Sequence, residues 1–173
     1  NQKLQKRFEQ DLAKYFKSLA NAFPYHRLDA IYNRYMKEAV GEEAESIIDL
    51  LLASFTISFA KMINGHLVTV YITGSAQMST WGGMAFEGPP IKQAVDYAEK
   101  YGARLVGGLD DESKDRLAKI ISDGIKNKRG IPGLKADIRR EFKDMSVGRA
   151  ESIARTETNN ALSQAFMDRS RDM

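Results

Sequence analysis

The segment RAESIARTETNNA, residues 149–161, crowds charged and hydroxyl side chains into a stretch of helical length that contains neither Gly nor Pro. At about 100° per residue, a helix places Glu157 on the apolar side of this segment. The residues that share that side are Val147, Ala150, Ala154, Ala161 and Ala165, with Ile153 at its margin. A carboxylate in that position needs a cation or several hydrogen-bond donors, or its pKa rises until it takes up a proton.

Three roles are open for Glu157: an ion pair that locks one helix to another, a contact with another chain, and a catalytic acid. Arg155 lies about 160° away on the same helix, and we expect it to reach Glu151 instead. The partner of Glu157 is therefore expected from Arg104, Arg139, Arg140 or a neighbouring subunit. We predict the ion pair, because the sequence offers no matching base, nucleophile or metal cluster.

Histidine, cysteine and glycine-rich motifs do not indicate a catalytic, metal or phosphate site in this sequence. His26 and His66 lie in different segments, without convergent partners for a zinc or Ser-His-Asp site, so surface or loop roles are expected. The chain has no cysteine, which excludes disulfides and thiolate metal sites. The glycine-rich GGMAFEG lacks the Lys-Ser/Thr of a phosphate loop. We therefore expect no catalytic, cofactor-binding or metal-binding residues.

A basic cluster spans two predicted helices and their turn. Its members are Lys126, Lys128, Arg129, Lys135, Arg139, Arg140 and Lys143. Side chains of this type and spacing can touch phosphates without reading base sequence, and few aromatic residues lie nearby to stack on single strands. These charges are expected to complement the dipole at a helix C-terminus. The alternative is a DNA-facing patch, with double-stranded DNA as its ligand.

Helices must position these groups. Apolar residues three and four apart predict amphipathic helices, over residues 3–22, 27–40, 42–63, 91–102, 110–129, 132–144 and 147–170. Asp110 and Ser146 are expected N-caps, and ARLVGGL is the expected link before Asp110. The β-branched HLVTVYIT predicts a small strand near residues 66–73, followed by a long loop at 74–90 in which Trp81 anchors the core or a partner. The predicted fold class is mainly α: a helical bundle with at most this small β element.

Length and composition restrict the class of protein. A length of 173 residues suits one compact unit, and 43% hydrophobic with 28% charged residues excludes wholesale disorder. A net charge of +3 permits nucleic-acid contact without requiring it. The apolar run within 42–63 is shorter and more polar than a membrane span of about 20 residues, so a central core helix and no membrane partner are expected. The charged first twenty residues do not resemble a signal peptide, and the ends of the chain suggest a piece of a longer protein.

The run RAESIARTETNNALSQA resembles the RA-x-x-IARTET-x-x-A motif of the phage Mu F-like family of minor head proteins, also called phage head morphogenesis proteins. The resemblance extends upstream through GARLVGGLDDESKDRLAKIISDGI and IPGLKADIRREF, and covers residues 95–167. It implies a variable helical N-terminal region, residues 1–90, and a Mu F-like helical region, residues 91–173, packed together. The matching positions are Arg149, Ala150, Ile153, Ala154, Arg155, Thr156, Glu157, Thr158 and Ala161.

What the resemblance implies is a virion component, present in few copies in the phage head near the portal vertex and in the bacterial host cytoplasm during assembly. Such a protein docks on portal or capsid protein and assists head assembly, DNA packaging or delivery; some relatives are reported to bind DNA. We therefore predict a non-enzymatic minor head protein without a cofactor, with a homo-oligomer as a further expectation. The alternatives are a sequence-independent DNA-binding protein that uses the basic cluster and a hydrolase that uses Glu157.

Overall fold

A computed structural model describes residues 2–28, 40–81, 91–127 and 129–171 of the chain. These residues form helices and contain no strand, which confirms the mainly α helical bundle. The elements are α1 (Gln2–Ala22), α2 (Val40–Trp81), α3 (Ile91–Lys126), α4 (Ile131–Asp144), a π-helical turn (Met145–Arg149) and α5 (Ala150–Arg171).

Helix α2 is longer than predicted, at 42 residues, and passes through the predicted strand and the start of the predicted loop. The strand at 66–73 is wrong because Leu67, Val70 and Tyr71 are buried at helical spacing against neighbouring helices. The loop at 74–90 is wrong as far as Trp81, the last residue of α2. Residues 82–90, the side chain of Trp81 and most of the predicted helix at 27–40 lie outside the described part of the chain.

Helix α3 is also continuous where a link was predicted at residues 103–109. Gly107 and Gly108 occupy exposed positions inside the helix, while Val106 and Leu109 continue its buried side. Each glycine costs about 1 kcal/mol of helix propensity relative to alanine, and the packing of α3 along α2 outweighs that cost. Asp110 consequently lies in the middle of a helix and is not an N-cap.

Between α4 and α5 the chain makes a π-helical turn in place of the predicted cap. The Ala150 backbone N–H donates to the Met145 carbonyl, and the Ser146 hydroxyl donates to the Lys143 carbonyl over 2.8 Å, so the helical path continues. A π turn inserts one extra residue and shifts the side chains around the helix axis. Val147, predicted on the apolar side, is consequently 64% exposed.

One hydrophobic core joins the described helices. Helix α2 packs along α3 and α5, and α1 packs against α5 and the π-helical turn, so both halves of the chain contribute to this core. Its largest fully buried side chains include Phe8, Phe16, Phe59 and Tyr71. Burying one such side chain contributes about 1.5–3 kcal/mol, so the aromatic side chains of α1 and α2 contribute substantially to stability.

By length and composition, Ser46–Thr80 of α2 is apolar enough to cross a membrane, and within the described ranges no other helix is. One third of its most apolar stretch, 33%, is buried inside the protein. Core helices of soluble proteins meet the same criterion, and the buried side of α2 packs on α1, α3 and α5. Helix α2 therefore contributes one side to the core, while about two thirds of its most apolar stretch is not buried within the described protein.

Candidate functional site

Residues 149–161 comprise Arg149, the last residue of the π-helical turn, and the first half of α5. This segment has a buried face and a solvent face. Its buried face consists of small residues and one threonine: Ala150, Ala154, Thr158 and Ala161, continued by Ala165. Its solvent face carries Arg155, Thr156 and Asn159, which are exposed. The predicted alanine-lined side is thus confirmed, and Thr158 rather than Glu157 is the polar residue at its centre.

Arg149 is the charged side chain that enters the core side of this segment. Only 10% of its side chain is exposed, and its Nη2 lies 2.6 Å from Oε2 of Glu112 on α3. Its Nη1 donates to the Ser113 hydroxyl over 3.3 Å, and the guanidinium carbon lies 5.8 Å from the ring centroid of Phe16 on α1. Burial lowers the pKa of Arg149, and the charge of Glu112 opposes that shift. Arg149 therefore fixes the start of α5 to α1 and α3 together.

Thr158 joins α5 to α2 through a histidine. The Nε2 atom of His66 lies 2.9 Å from Oγ1 of Thr158, and the imidazole stacks on Phe8 of α1 with centroids 3.8 Å apart. The predicted surface or loop role of His66 is wrong, because α2 continues through this position and carries the ring between α1 and α5. Burial lowers the pKa of His66 to about 4, so the imidazole is neutral at pH 7. His26, in contrast, is exposed.

Glu157 lies at the edge of the buried face and borders an open groove between α3 and α5. The groove has a volume of about 520 Å³ and is lined by Tyr101, Arg104, Leu105, Gly108, Leu109, Glu112, Ser152, Ile153, Thr156, Glu157 and Asn160. Burial raises the pKa of Glu157, and a hydrogen bond from the Asn160 amide opposes this shift. We refer to this surface as the α3–α5 groove.

The predicted ion pair of Glu157 is not formed among the residues that the structure describes. None of the described cations pairs with Glu157: Arg104 stacks over Tyr101, Arg139 lies over Tyr25, and Arg140 reaches Asp137. Glu157 lies at the edge of the alanine-lined side and is partly exposed, while Arg149 of the π-helical turn is the charged side chain that points inward. Glu157 is therefore a half-buried acid with an amide neighbour and no cation among the described residues.

The structure divides the basic cluster and brings acids into it. Arg129 pairs with Asp137 over 3.1 Å, Arg140 also reaches Asp137, and the Arg139 guanidinium lies 4.7 Å from the Tyr25 ring. A cleft of about 380 Å³ beside them is lined by four acids, Asp123, Asp137, Glu141 and Asp144. Lys126 and Lys143 are exposed and Lys135 is half-buried, whereas Lys128 lies outside the described residues. This surface mixes both signs of charge.

Two tyrosine–aspartate hydrogen bonds link helices that the sequence did not connect. Tyr15 of α1 donates to Asp110 of α3 over 3.4 Å, and Tyr71 of α2 donates to Asp168 of α5 over 2.5 Å. Burial raises the pKa of Asp110 to about 6. The partners are more than ninety residues apart, at separations of 95 and 97, so no local sequence pattern could have found them.

Chemically, the segment offers anchoring contacts and one acid, Glu157, that no described cation pairs with. In the ranges that the structure describes, no three His, Asp or Glu side chains converge to hold a metal ion. Glu157 contacts an amide, not an imidazole or a hydroxyl nucleophile. Comparison of the chain with protein-family models, curated proteins and solved structures finds no match.

Proposed function

We propose that this protein is a phage minor head protein, which docks on portal or capsid protein and assists head assembly, DNA packaging or delivery. The proposal rests on the resemblance of the 149–161 segment to the minor head protein motif. Docking requires that this segment forms a rigid helix with a free surface.

The observation that supports the proposal is that some residues of this segment fix α5 to the core while others stay exposed. Arg149 and Thr158 anchor α5 to three other helices through side chains that are almost fully buried. Arg155 and Thr156 remain exposed on the opposite side. A recognition surface on a helix fixed in this way loses little conformational entropy when it binds, which favours specific docking.

The test is association with the cognate portal and capsid proteins. We expect a tagged chain to recover one of them, both from procapsid extracts and from mixtures of purified proteins, and portal and scaffold genes to lie beside its own gene. A portal protein from an unrelated phage is the matched control. No association with the cognate proteins in either setting would contradict the proposal.

Sequence-independent DNA binding is the alternative, and charge pairing gives it less support. Asp137 pairs with both Arg129 and Arg140, so one carboxylate offsets part of the positive charge that the cluster offers to phosphates. A gel shift with double-stranded DNA at increasing salt measures how many phosphates are contacted. Strong binding that falls when Lys126, Lys135 and Lys143 are all changed to Ala would favour the DNA-binding alternative over portal docking.

A further inference from the structure

The α3–α5 groove holds two opposite charges that remain uncompensated among the described residues. Arg104, on the α3 wall, is exposed, and its guanidinium carbon lies 5.9 Å from the Tyr101 ring centroid. Glu157, on the α5 wall, has the Asn160 amide as its hydrogen-bond neighbour. The third charge of the groove, Glu112, is already paired with Arg149 and Arg116.

Arg104 and Glu157 line one groove without forming an ion pair with each other. A two-fold axis through the groove would place Arg104 of one copy opposite Glu157 of a second copy, and the reverse, since an isologous interface makes each contact twice. The groove therefore has the charge pattern of a self-complementary surface. A partner of a single sign of charge would leave one of the two groups unsatisfied.

The shape of the groove suits a second pair of helices. Its walls are the long helices α3 and α5, and two helix pairs that pack face to face form a four-helix arrangement, a common solution in helical proteins. Gly108 and Ser152 line the groove with small side chains, and a Cβ at Gly108 would meet nothing within 4 Å. Small residues of this kind let another helix approach closely, while Leu105 and Ile153 supply partly buried apolar surface.

We propose that the α3–α5 groove is a homodimer interface in which Arg104 of each copy pairs with Glu157 of the other. This inference goes beyond the proposed function and does not depend on it, because self-association can be measured without portal or capsid protein. It also gives the half-buried carboxylate of Glu157 the cation that the described residues of one copy do not supply.

The test is a charge swap followed by sedimentation equilibrium. We expect the full chain to dimerise at about 100 µM protein in about 50 mM salt, and less at higher salt because charges at an interface rim are screened. Arg104→Glu and Glu157→Arg should each raise the dimer dissociation constant by about tenfold or more, since each change creates two repulsive contacts. Exposed residues on α5 outside the groove provide matched controls, Arg155→Glu and Glu151→Arg, which should dimerise like the natural sequence.

Mixing the two groove variants is the decisive step. In a heterodimer of Arg104→Glu with Glu157→Arg, both contacts join opposite charges again, so dimers should return although each variant alone is monomeric. A wild-type chain that stays monomeric at this concentration overturns the proposal. Single variants that dimerise as tightly as wild type, or a mixture that stays monomeric, overturn it equally.

Discussion

Arg149 is a guanidinium held inside the junction of α1, α3 and α5, where it bonds to Glu112 and Ser113 and lies over Phe16. Replacing it with alanine removes these contacts and leaves unfilled space beside the Phe16 ring. Glu112 keeps Arg116 as a partner at 2.8 Å, so the loss should be smaller than that of a fully orphaned buried charge. We expect Arg149→Ala to lower the free energy of unfolding by about 1–3 kcal/mol.

Urea denaturation followed by circular dichroism measures this difference. The matched control is Arg155→Ala on the same helix, where the side chain is exposed, and we expect a change within about 0.5 kcal/mol. If both variants had the wild-type midpoint, Arg149 would not be the anchor of α5.

Glu157 should behave in the opposite way. Its pKa is raised by burial, which means that the ionised carboxylate is less favourable in the folded chain than in the unfolded chain. Glu157→Gln removes the charge and keeps the shape, so we expect the urea midpoint of unfolding at pH 7 to stay equal or rise. At a protein concentration well below the dimer dissociation constant, a clear decrease in that midpoint would show that Glu157 has a stabilising partner within the monomer.

At the scale of helices, two glycines of α2 test how closely α2 and α5 approach. A Cβ added at Gly74 would lie 2.9 Å from the Ala165 Cβ of α5, whereas at Gly65 it would meet nothing within 4 Å. We expect Gly74→Ala to destabilise the protein by about 1–3 kcal/mol through overpacking. The same substitution at Gly65 should stabilise it by about 0.5–1 kcal/mol, because alanine has the higher helix propensity.

Thermal unfolding of the two variants under identical conditions checks this pair. Both variants replace glycine with alanine in α2, so the gain in helix propensity is the same in each. The difference between their melting temperatures therefore reports packing. Melting temperatures that shift in the same direction would contradict the close contact between Gly74 and Ala165.

Helix existence could be predicted from apolar spacing, but helix ends could not. Gly74, Gly107 and Gly108 suggested breaks, and the structure has none at these positions. At Gly74 the missing side chain serves the contact with α5, so the glycine signals close packing and not a turn. The β-branched run near Val70 stays helical because tertiary burial outweighs local preference.

The candidate site was less predictable than the helices. The alanine-lined face of α5 followed from helical periodicity, whereas the identity of its inward charge depended on the π-helical turn, for which the sequence has no known signal. His66 and Thr158 are separated by 92 residues, so their contact arises only from how α2 and α5 pack. Local sequence patterns predict which face of a helix is buried. Which side chains contact each other across helices can be determined only from the tertiary structure.

At the scale of the whole molecule, two partly buried groups couple stability to pH with opposite signs. The pKa of His66 falls to about 4, so between pH 6.5 and 4 the unfolded chain binds more protons there, and stability decreases as the pH falls. The pKa of Asp110 rises to about 6, so between pH 3.8 and 6 the folded chain binds more protons there, and stability increases as the pH falls. The two effects oppose each other over the shared range.

A variant that lacks one of the two groups should therefore show the pH dependence that the other group contributes. His66→Phe keeps a ring against Phe8, and Asp110→Asn keeps an acceptor for Tyr15. Relative to wild type, the free energy of unfolding of His66→Phe should rise by about 1–2 kcal/mol as the pH falls from 6.5 to 4, and that of Asp110→Asn should fall by a similar amount. Urea denaturation at half-unit pH steps gives both difference curves, from which the titration of all other groups cancels. A double variant should show a nearly flat difference curve, because opposite slopes of similar size add to little. A flat curve for either single variant would mean that the group it removes has the same pKa in the folded and unfolded chains, which contradicts the burial of that group.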